Sequence, residues 1–139
     1  MKARKLVTFT LWSFFVIGAA SLNAQSAHEL RVNIPFEFNV SNRTVPPGDY
    51  IMHVLANALQ IRQRDGHVVA LTPSTASTKA EAAKEAQVMF HRYGDEYFLS
   101  EVVMPYSNSG IKLVQSKNEQ KLAQDGTKGQ DVAVTVRNR

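Results

Sequence analysis

The residues best suited to chemistry in this chain are histidines and a carboxylate on predicted strands. His53 and His91 lie on strands that could be neighbours in a sheet, and Glu101 lies on another strand. Imidazole and carboxylate groups together can hold zinc or copper. These three residues form a candidate metal site, although unrelated polar positions on sheet surfaces would give the same pattern. No His-Glu-x-x-His motif occurs, so we predict neither a bound metal nor a cofactor.

Acidic residues suggest a second chemistry, because glycoside hydrolysis needs a pair of carboxylates. Glu101, Asp95 and Glu96 could supply such a pair, but the last two lie at a predicted hairpin tip. The chain has no Gly-x-Ser-x-Gly motif, no phosphate-binding loop and no cysteine. The sequence therefore favours a non-catalytic protein, and a metal-dependent or carboxylate-based hydrolase is the alternative.

Aromatic residues give the remaining candidate for a binding surface. Tyr93, Tyr97, Phe98 and Tyr106 are close together in the sequence, around one predicted hairpin and the loop after it. Two of them exposed on one face would form a platform for a glycan or a protein. Packing into a hydrophobic core is the competing interpretation.

The segment VPPGDY at residues 45–50 resembles the tyrosine corner of Greek-key sandwiches. Pro47 fixes a backbone angle, and Gly48 adopts turn angles that a Cβ would resist. Val45 is expected to be buried, and the Tyr50 hydroxyl is expected to bond to backbone a few residues upstream. A ligand-binding loop with an exposed tyrosine is the alternative.

The N-terminus has the order of a secretory signal peptide. Residues 1–5 carry three positive charges, residues 6–20 are mostly apolar, and small and polar residues follow. The apolar run is shorter than the roughly 20 residues that a membrane-spanning helix needs. We predict cleavage after Ala24, with cleavage after Ala20 or a retained anchor as alternatives. The predicted protein is secreted or periplasmic, and residues 25–139 form one domain without a membrane span.

Charge argues against nucleic-acid binding. The whole chain has a formal net charge of +4, but three of its 16 Lys and Arg lie in the predicted signal. The remainder carries 13 basic and 12 acidic residues, a net charge of +1, and its basic residues are scattered. We therefore expect a protein or glycan partner and no nucleic acid.

Periodicity predicts an all-β domain. Residues 30–40 alternate apolar and polar side chains, which predicts one long strand, with Pro35 favouring an edge position. An unpaired edge there would also suit a self-assembling surface protein. A second strand is predicted over residues 50–55, and Asp65-Gly66 indicates a hairpin joining strands at 59–63 and 67–71.

The register of that hairpin has two solutions. A two-residue loop places Ile61 opposite Ala70 and Leu59 opposite Thr72. A three-residue loop with a left-handed Gly66 pairs residue 63 with residue 67, and places Ile61 opposite residue 69 and Leu59 opposite residue 71. We prefer the second solution because it matches apolar side chains across the strands.

The rest of the chain adds another hairpin and one helix. Residues 74–85 are small and polar, which indicates either a short helix, with Thr78 and Glu81 as a capping box, or a surface loop. Strands are predicted over 87–93, 96–103, 111–114 and about 131–137, and a helix capped by Ser116 over about 117–124. With a core of about 30–115, this predicts an antiparallel Greek-key-like sandwich or barrel of six to seven strands and a short C-terminal helix.

Three segments together resemble a family of small secreted bacterial β-rich proteins of unassigned function. They are NIPFEFNV, VPPGDYIM and VMFHRYGDEYFLSEVV, and the resemblance covers roughly residues 30 to 122. This chain has Pro47 where alanine is usual in the family, and Val103 where tryptophan is common. The resemblance implies export and a β domain, and it implies no catalytic residues.

Overall fold

A computed structural model describes residues 28–136, and the predicted signal peptide lies outside this part of the chain. The described residues form ten strands and one helix, more strands than the six to seven predicted. In chain order these are β1 His28–Ile34, β2 Phe38–Val40, β3 Arg43–Val45, β4 Gly48–Val54, β5 Ala58–Gln63, β6 Val68–Ala83, β7 Gln87–Tyr93, β8 Glu96–Val103, β9 Ser107–Leu113, α1 Lys117–Gln124 and β10 Gln130–Thr135.

The strands form one continuous open sheet in the order β1-β4-β5-β6-β9-β8-β2-β3, and β7 adds to β8 and carries β10. Strand β6 connects two parts of this sheet. Its first half pairs with β5 up to Pro73, and its second half pairs with β9 from Ser74 onwards. Pairing is antiparallel except for one parallel bridge, between Asn39 in β2 and Phe98 in β8. The prediction of a mostly antiparallel β protein is confirmed.

Alternating side chains from both parts of the sheet form a single core. Phe38 in β2 makes edge-to-face contacts with Tyr50 in β4 and with Phe90 in β7, with ring centroids 5.7 Å and 5.5 Å apart. Each of these rings is almost completely buried. Burial of such large apolar side chains is the main favourable term in folding a chain without disulfides.

The predicted strand over residues 30–40 is two strands. β1 ends at Ile34 and β2 begins at Phe38, because Pro35 lacks an N–H group and cannot continue the ladder. The break redirects the chain, since β1 pairs with β4 whereas β2 pairs with β3 and β8. The edge position predicted for this segment is confirmed for β1, which lies at one end of the sheet, and is wrong for β2, which lies between β8 and β3.

The β5–β6 hairpin combines both predicted registers. At the turn, the Gln63 amide donates to the His67 carbonyl oxygen at 2.8 Å and Gly66 has a φ of 90°, as the three-residue loop requires. A bulge then shifts the ladder, so that Ile61 lies opposite residue 70 and Leu59 opposite residue 72. The preferred pairing with residues 69 and 71 is wrong there, because the bulge turns the side chain of Leu71 outward, where it is 62% exposed.

Residues 74–85 form neither a helix nor a loop, because most of them belong to β6. Ser74–Thr78 pair with β9, and an irregular stretch separates them from a further pair between Ala83 and Ser107. Pairing with a neighbouring strand therefore outweighs the weak helix preference of this alanine-rich segment. The proposed capping box of Thr78 and Glu81 is wrong.

Most of the later elements agree with the predictions, but β9 begins at Ser107 instead of residue 111. The β7–β8 hairpin has the expected strands and a Gly94-Asp95 turn, in which Gly94 has a φ of 61°. Helix α1 spans Lys117–Gln124, and the Ser116 hydroxyl accepts the Glu119 amide at 3.2 Å as an N-cap. None of the helical residues between positions 28 and 136 forms a segment long and apolar enough to cross a membrane.

Candidate functional site

Ionisable side chains gather on one outer face of the sheet, which we call the α1 face. It consists of His91, Glu101 and Lys112 on strands β7 to β9, Ser77 and Lys79 on β6, Asp131 on β10 and Glu119 on α1. Strand alternation positions these residues. Val88 and Phe90 point into the core, so that His91 points away from it.

The closest contact on this face joins helix α1 to strand β7. Glu119 Oε1 lies 2.6 Å from His91 Nδ1, and only 4% of the Glu119 side chain is exposed. On the other side of the ring, Asp131 Oδ1 lies 3.7 Å from Nε2. The hydrogen bond to Glu119 raises the pKa of His91, and the charges of Glu119 and Asp131 act in the same direction against partial burial and nearby Lys112. The arrangement therefore favours a charged imidazolium.

A second buried carboxylate lies between strands β6 and β8. Glu101 accepts a hydrogen bond from the Ser77 hydroxyl at 2.7 Å and contacts Lys79 Nζ at 2.6 Å. Burial alone would raise the pKa of Glu101, but bonds from Lys79 and Ser77 outweigh it, together with the charges of Lys79 and Lys112. The net pKa is lowered, so Glu101 stays ionised as part of an ion pair.

The candidate metal site divides between two faces. His53 lies opposite Glu29 in β1 and Gln60 in β5, on a strand whose neighbouring side chains Met52 and Val54 are in the core. His91 points outward from a different part of the sheet. Between residues 28 and 136, no three histidine, aspartate or glutamate side chains are placed to hold a metal ion together.

The four predicted aromatic residues do not share one exposed surface. Tyr93 and Phe98 are buried and meet edge to face, with ring centroids 5.9 Å apart. Tyr97 stacks on Phe36 at 3.9 Å, and the guanidinium of Arg92 lies 5.4 Å from the Tyr97 ring centroid. Tyr106 is 86% exposed on a separate loop.

Tyr93 belongs to the α1 face. A Cβ at Gly129 would lie 2.9 Å from the Tyr93 ring, so the segment between α1 and β10 packs closely over this tyrosine. Burial raises the pKa of Tyr93, and the charges of Glu119 and Asp131 add to the shift. Tyr93, which was predicted as part of an exposed binding platform, is therefore buried beneath the segment between α1 and β10.

The VPPGDY segment has the hydrogen bond predicted for it. The Tyr50 hydroxyl donates to the Pro46 carbonyl oxygen at 2.6 Å. Gly48 begins strand β4 without a positive φ, and a Cβ added there would lie 3.7 Å from the tyrosine ring, an ordinary contact, so the prediction that Gly48 adopts angles that a Cβ would resist is wrong. Val45 is 2% exposed, and burial raises the pKa of Tyr50. The bend joins β3, which pairs with β2, to β4, which pairs with β1 and β5, so it lies where the chain passes between the two parts of the sheet. Pro47 is exposed within it.

Two shallow grooves lie beside these turns. One, of about 420 Å³, is lined by the β2–β3 turn and by Val68–Leu71 of β6, and Arg43 donates to the Val69 carbonyl oxygen within it at 3.2 Å. The other, of about 360 Å³, lies between the VPPGDY segment and residues 63–65. Neither groove contains any of the ionisable groups with a shifted pKa other than the structural Tyr50.

Comparison of the chain with protein-family models, with curated proteins and with solved structures finds no match.

The sequence missed most of the α1 face. Glu119 is visible in the sequence only as the residue three positions after a helix cap, a place where its side chain would return to the Ser116 backbone. Instead it contacts His91, 28 residues away in the chain. Ser77 and Lys79 lay in a segment predicted as helix or loop, so no pattern connected them with Glu101. The period-two pattern of β7 does predict that His91 points away from the core.

Proposed function

We propose that this protein is exported and acts without catalysis, through binding or structural association at the cell envelope. The observation that carries the proposal is strand β1, a seven-residue strand at the end of the sheet with one buried face and one charged face. A free strand edge presents backbone donors and acceptors that can pair with another chain. The N-terminal signal pattern and the resemblance to secreted β-rich proteins support export.

The ionisable groups of the α1 face support a structural role for that face. The carboxylate of Glu101 links β8 to β6 through Lys79, and Glu119 links α1 to β7 through His91. Both buried carboxylates are thus paired with a basic side chain of the same chain. Such pairs hold strands and helix together. Because these buried carboxylates have this structural role, we favour association through the surface as the function.

We also propose that the fold is a Greek-key-like sandwich with a tyrosine corner. Its support is the way β6 pairs with both parts of the sheet, the meeting of Tyr50 and Phe90 on Phe38, and the bond from Tyr50 to Pro46. In solution, NMR cross-peaks from the Phe38 ring to both other rings are expected. Cross-peaks to only one of them would contradict a two-layer packing.

Export is tested by fractionating bacteria that express the full chain and weighing the protein from each fraction. We expect it outside the cytoplasm, with the intact mass of residues 25–139, or of residues 21–139 if Ala20 is the cleavage site. Full-length protein that stays in the cytoplasm would contradict the proposal. Full-length protein held in the membrane fraction would indicate the retained anchor instead.

A metal-dependent or carboxylate-based hydrolase is the second candidate, and one observation favours it. A buried carboxylate on Nδ1 of His91 is the arrangement that orients an imidazole whose Nε2 serves as a metal ligand or base. Titrating the purified protein with Zn²⁺ while recording the His91 ring signals by NMR tests this. Stoichiometric binding that is lost in His91→Ala favours the enzyme, and unchanged ring signals argue against it.

A further inference from the structure

Strand β1 leaves one backbone edge without a ladder. It pairs along its whole length with β4, and no other strand among residues 28–136 pairs with it, although β10 comes close. Leu30, Val32 and Ile34 are buried beneath it, whereas Glu29 and Arg31 lie on the exposed face. The edge is therefore long enough and regular enough to accept another strand.

The exposed face of β1 carries one charge of each sign, two residues apart. Arg31 Nε donates to Glu29 Oε1 at 3.2 Å, and their side chains are 80% and 41% exposed. Alternate residues of a strand lie on the same face, so a strand that adds to this edge meets both charges in sequence. This charge pattern favours pairing with a strand that places a positive charge opposite Glu29 and a negative charge opposite Arg31, and it disfavours pairing with other strands.

We propose that the partner of this edge is β1 of a second copy of the chain, paired antiparallel about a two-fold axis at Leu30. In this register Glu29 lies opposite Arg31 of the second copy, and Arg31 lies opposite Glu29 of the second copy. The two-fold axis produces the contact twice. This inference rests on the proposed function, because it names the partner in the association that β1 provides.

Other registers are less favourable. Centring the axis on Glu29 or on Arg31 places two like charges directly opposite each other, which is destabilising. Centring it on Val32 places Arg31 opposite Asn33 and leaves Glu29 opposite Pro35, beyond the end of the strand. A shift by one residue places buried apolar side chains opposite exposed polar ones. The register centred on Leu30 alone matches both the charges and the faces.

The dimer would continue the sheet without changing which face is buried. A two-fold axis perpendicular to the sheet keeps the apolar faces of both copies on the same side, so Leu30 lies opposite its own counterpart. The pairing covers residues 28–32, where each residue has an opposite partner. Pro35 lies outside this range, so its missing N–H does not interrupt the new ladder.

Charge reversal tests the register. Glu29→Arg and Arg31→Glu each turn two attractive contacts into two repulsive ones, so each should raise the dimer dissociation constant by about tenfold. The double variant E29R/R31E restores both contacts and should dimerise like the wild type. Glu96→Arg, an equal charge change at the exposed β7–β8 turn, is the control and should have no effect. Sedimentation velocity measures all five proteins.

Equal dissociation constants for the two single variants and the wild type would overturn the inference. A wild-type protein that is monomeric at every concentration, from the highest soluble one down to a 100-fold dilution, would also overturn it. Circular dichroism of each variant checks that it is folded, and a double variant that recovers dimerisation excludes misfolding as the cause.

Disulfide formation between introduced cysteines tests the register independently, because the chain itself has no cysteine. Glu29→Cys chains mixed with Arg31→Cys chains should form a mixed disulfide under mild oxidation, since directly opposite positions lie within disulfide range. Each variant alone should cross-link poorly. A disulfide pattern without this preference overturns the register. A mature, exported protein that fails both tests refutes this inference alone, whereas a chain that is never exported refutes the proposed function.

Discussion

The contact between Glu119 and His91 should control how firmly helix α1 is held. Glu119 is the only buried residue of α1, and its carboxylate lies 2.6 Å from His91 Nδ1. Substituting Glu119→Gln keeps the size of the side chain and a hydrogen-bonding oxygen but removes the negative charge. The helix then loses the ionic part of its main contact with the sheet.

The magnitude follows from the kind of hydrogen bond that is exchanged. A bond to a charged group contributes about 1.5–3 kcal/mol and a neutral one about 1 kcal/mol. About a third of the His91 side chain is exposed, so solvent screens part of the ionic term. We therefore expect Glu119→Gln to lower the free energy of unfolding by about 1 kcal/mol at mildly acidic pH, a fall in the melting temperature of roughly 4 °C in a domain of this size.

The effect should depend on pH in a defined direction. The pKa of His91 is raised in the folded protein, chiefly by the bond to Glu119. The stabilisation is therefore fully present below the unfolded pKa of about 6.5 and is lost as the pH rises through the folded pKa. The difference between wild type and Glu119→Gln should shrink between mildly acidic and alkaline pH.

Urea unfolding at several pH values and hydrogen exchange of the α1 amides measure this effect. Asp131→Asn is the matched control, because it removes a second carboxylate, which lies 3.7 Å from the same ring. The Asp131 side chain is 75% exposed, so this substitution should change the free energy of unfolding by less than about 0.5 kcal/mol. Faster exchange confined to α1 is expected in Glu119→Gln. An equal loss of stability at all pH values, or an NMR-titrated His91 pKa at or below its ordinary value, would refute the reasoning.

Three further substitutions test other contacts by denaturant unfolding. Tyr50→Phe removes the hydroxyl that bonds to the Pro46 carbonyl oxygen and should cost about 1–2 kcal/mol; an unchanged stability would mean that the bond contributes nothing. Lys79→Met leaves the buried Glu101 carboxylate without its closest cation and should cost about 2–3 kcal/mol at neutral pH, less in acid where the carboxylate is protonated; a pH-independent loss would contradict this. Ser74→Ala removes a buried hydroxyl with no hydrogen-bond partner among the described residues and should raise stability by up to about 1 kcal/mol, so a clear loss would contradict that geometry.

Local patterns predicted the turns and the short-range elements of this fold. The Gly94-Asp95 turn, the Ser116 cap and the bond from Tyr50 to Pro46 each depend on a few neighbouring residues. Backbone angles and hydrogen bonds at such places are decided by the residue types themselves, through a positive φ or a side-chain acceptor. The sequence therefore carried enough information to predict them.

Features that depend on distant strands were not predictable in the same way. The extension of β6 to Ala83 exists because β9 pairs with it, and nothing in the composition of residues 74–83 indicates that partner. The bulge in the β5–β6 hairpin likewise reverses the preferred pairing of Leu59, although the turn itself was predicted. The ion pairs of Glu101 and Glu119 depend on these long-range pairings, so local sequence patterns do not predict them.

The two charged regions of the molecule should respond to different conditions. Glu119 and Glu101 are buried, so salt screens their ion pairs little, whereas a change of pH removes one charge of each pair. Alkaline pH weakens the contact at His91, whose pKa is raised, and acid weakens the contact at Glu101, whose pKa is lowered, so the α1 face is most stable between the two. The charges on β1 are exposed and should be screened by salt. High salt at neutral pH should therefore raise the dissociation constant of the proposed β1 dimer while α1 stays protected from exchange. A loss of α1 protection that accompanies dimer dissociation would mean that the two regions are coupled.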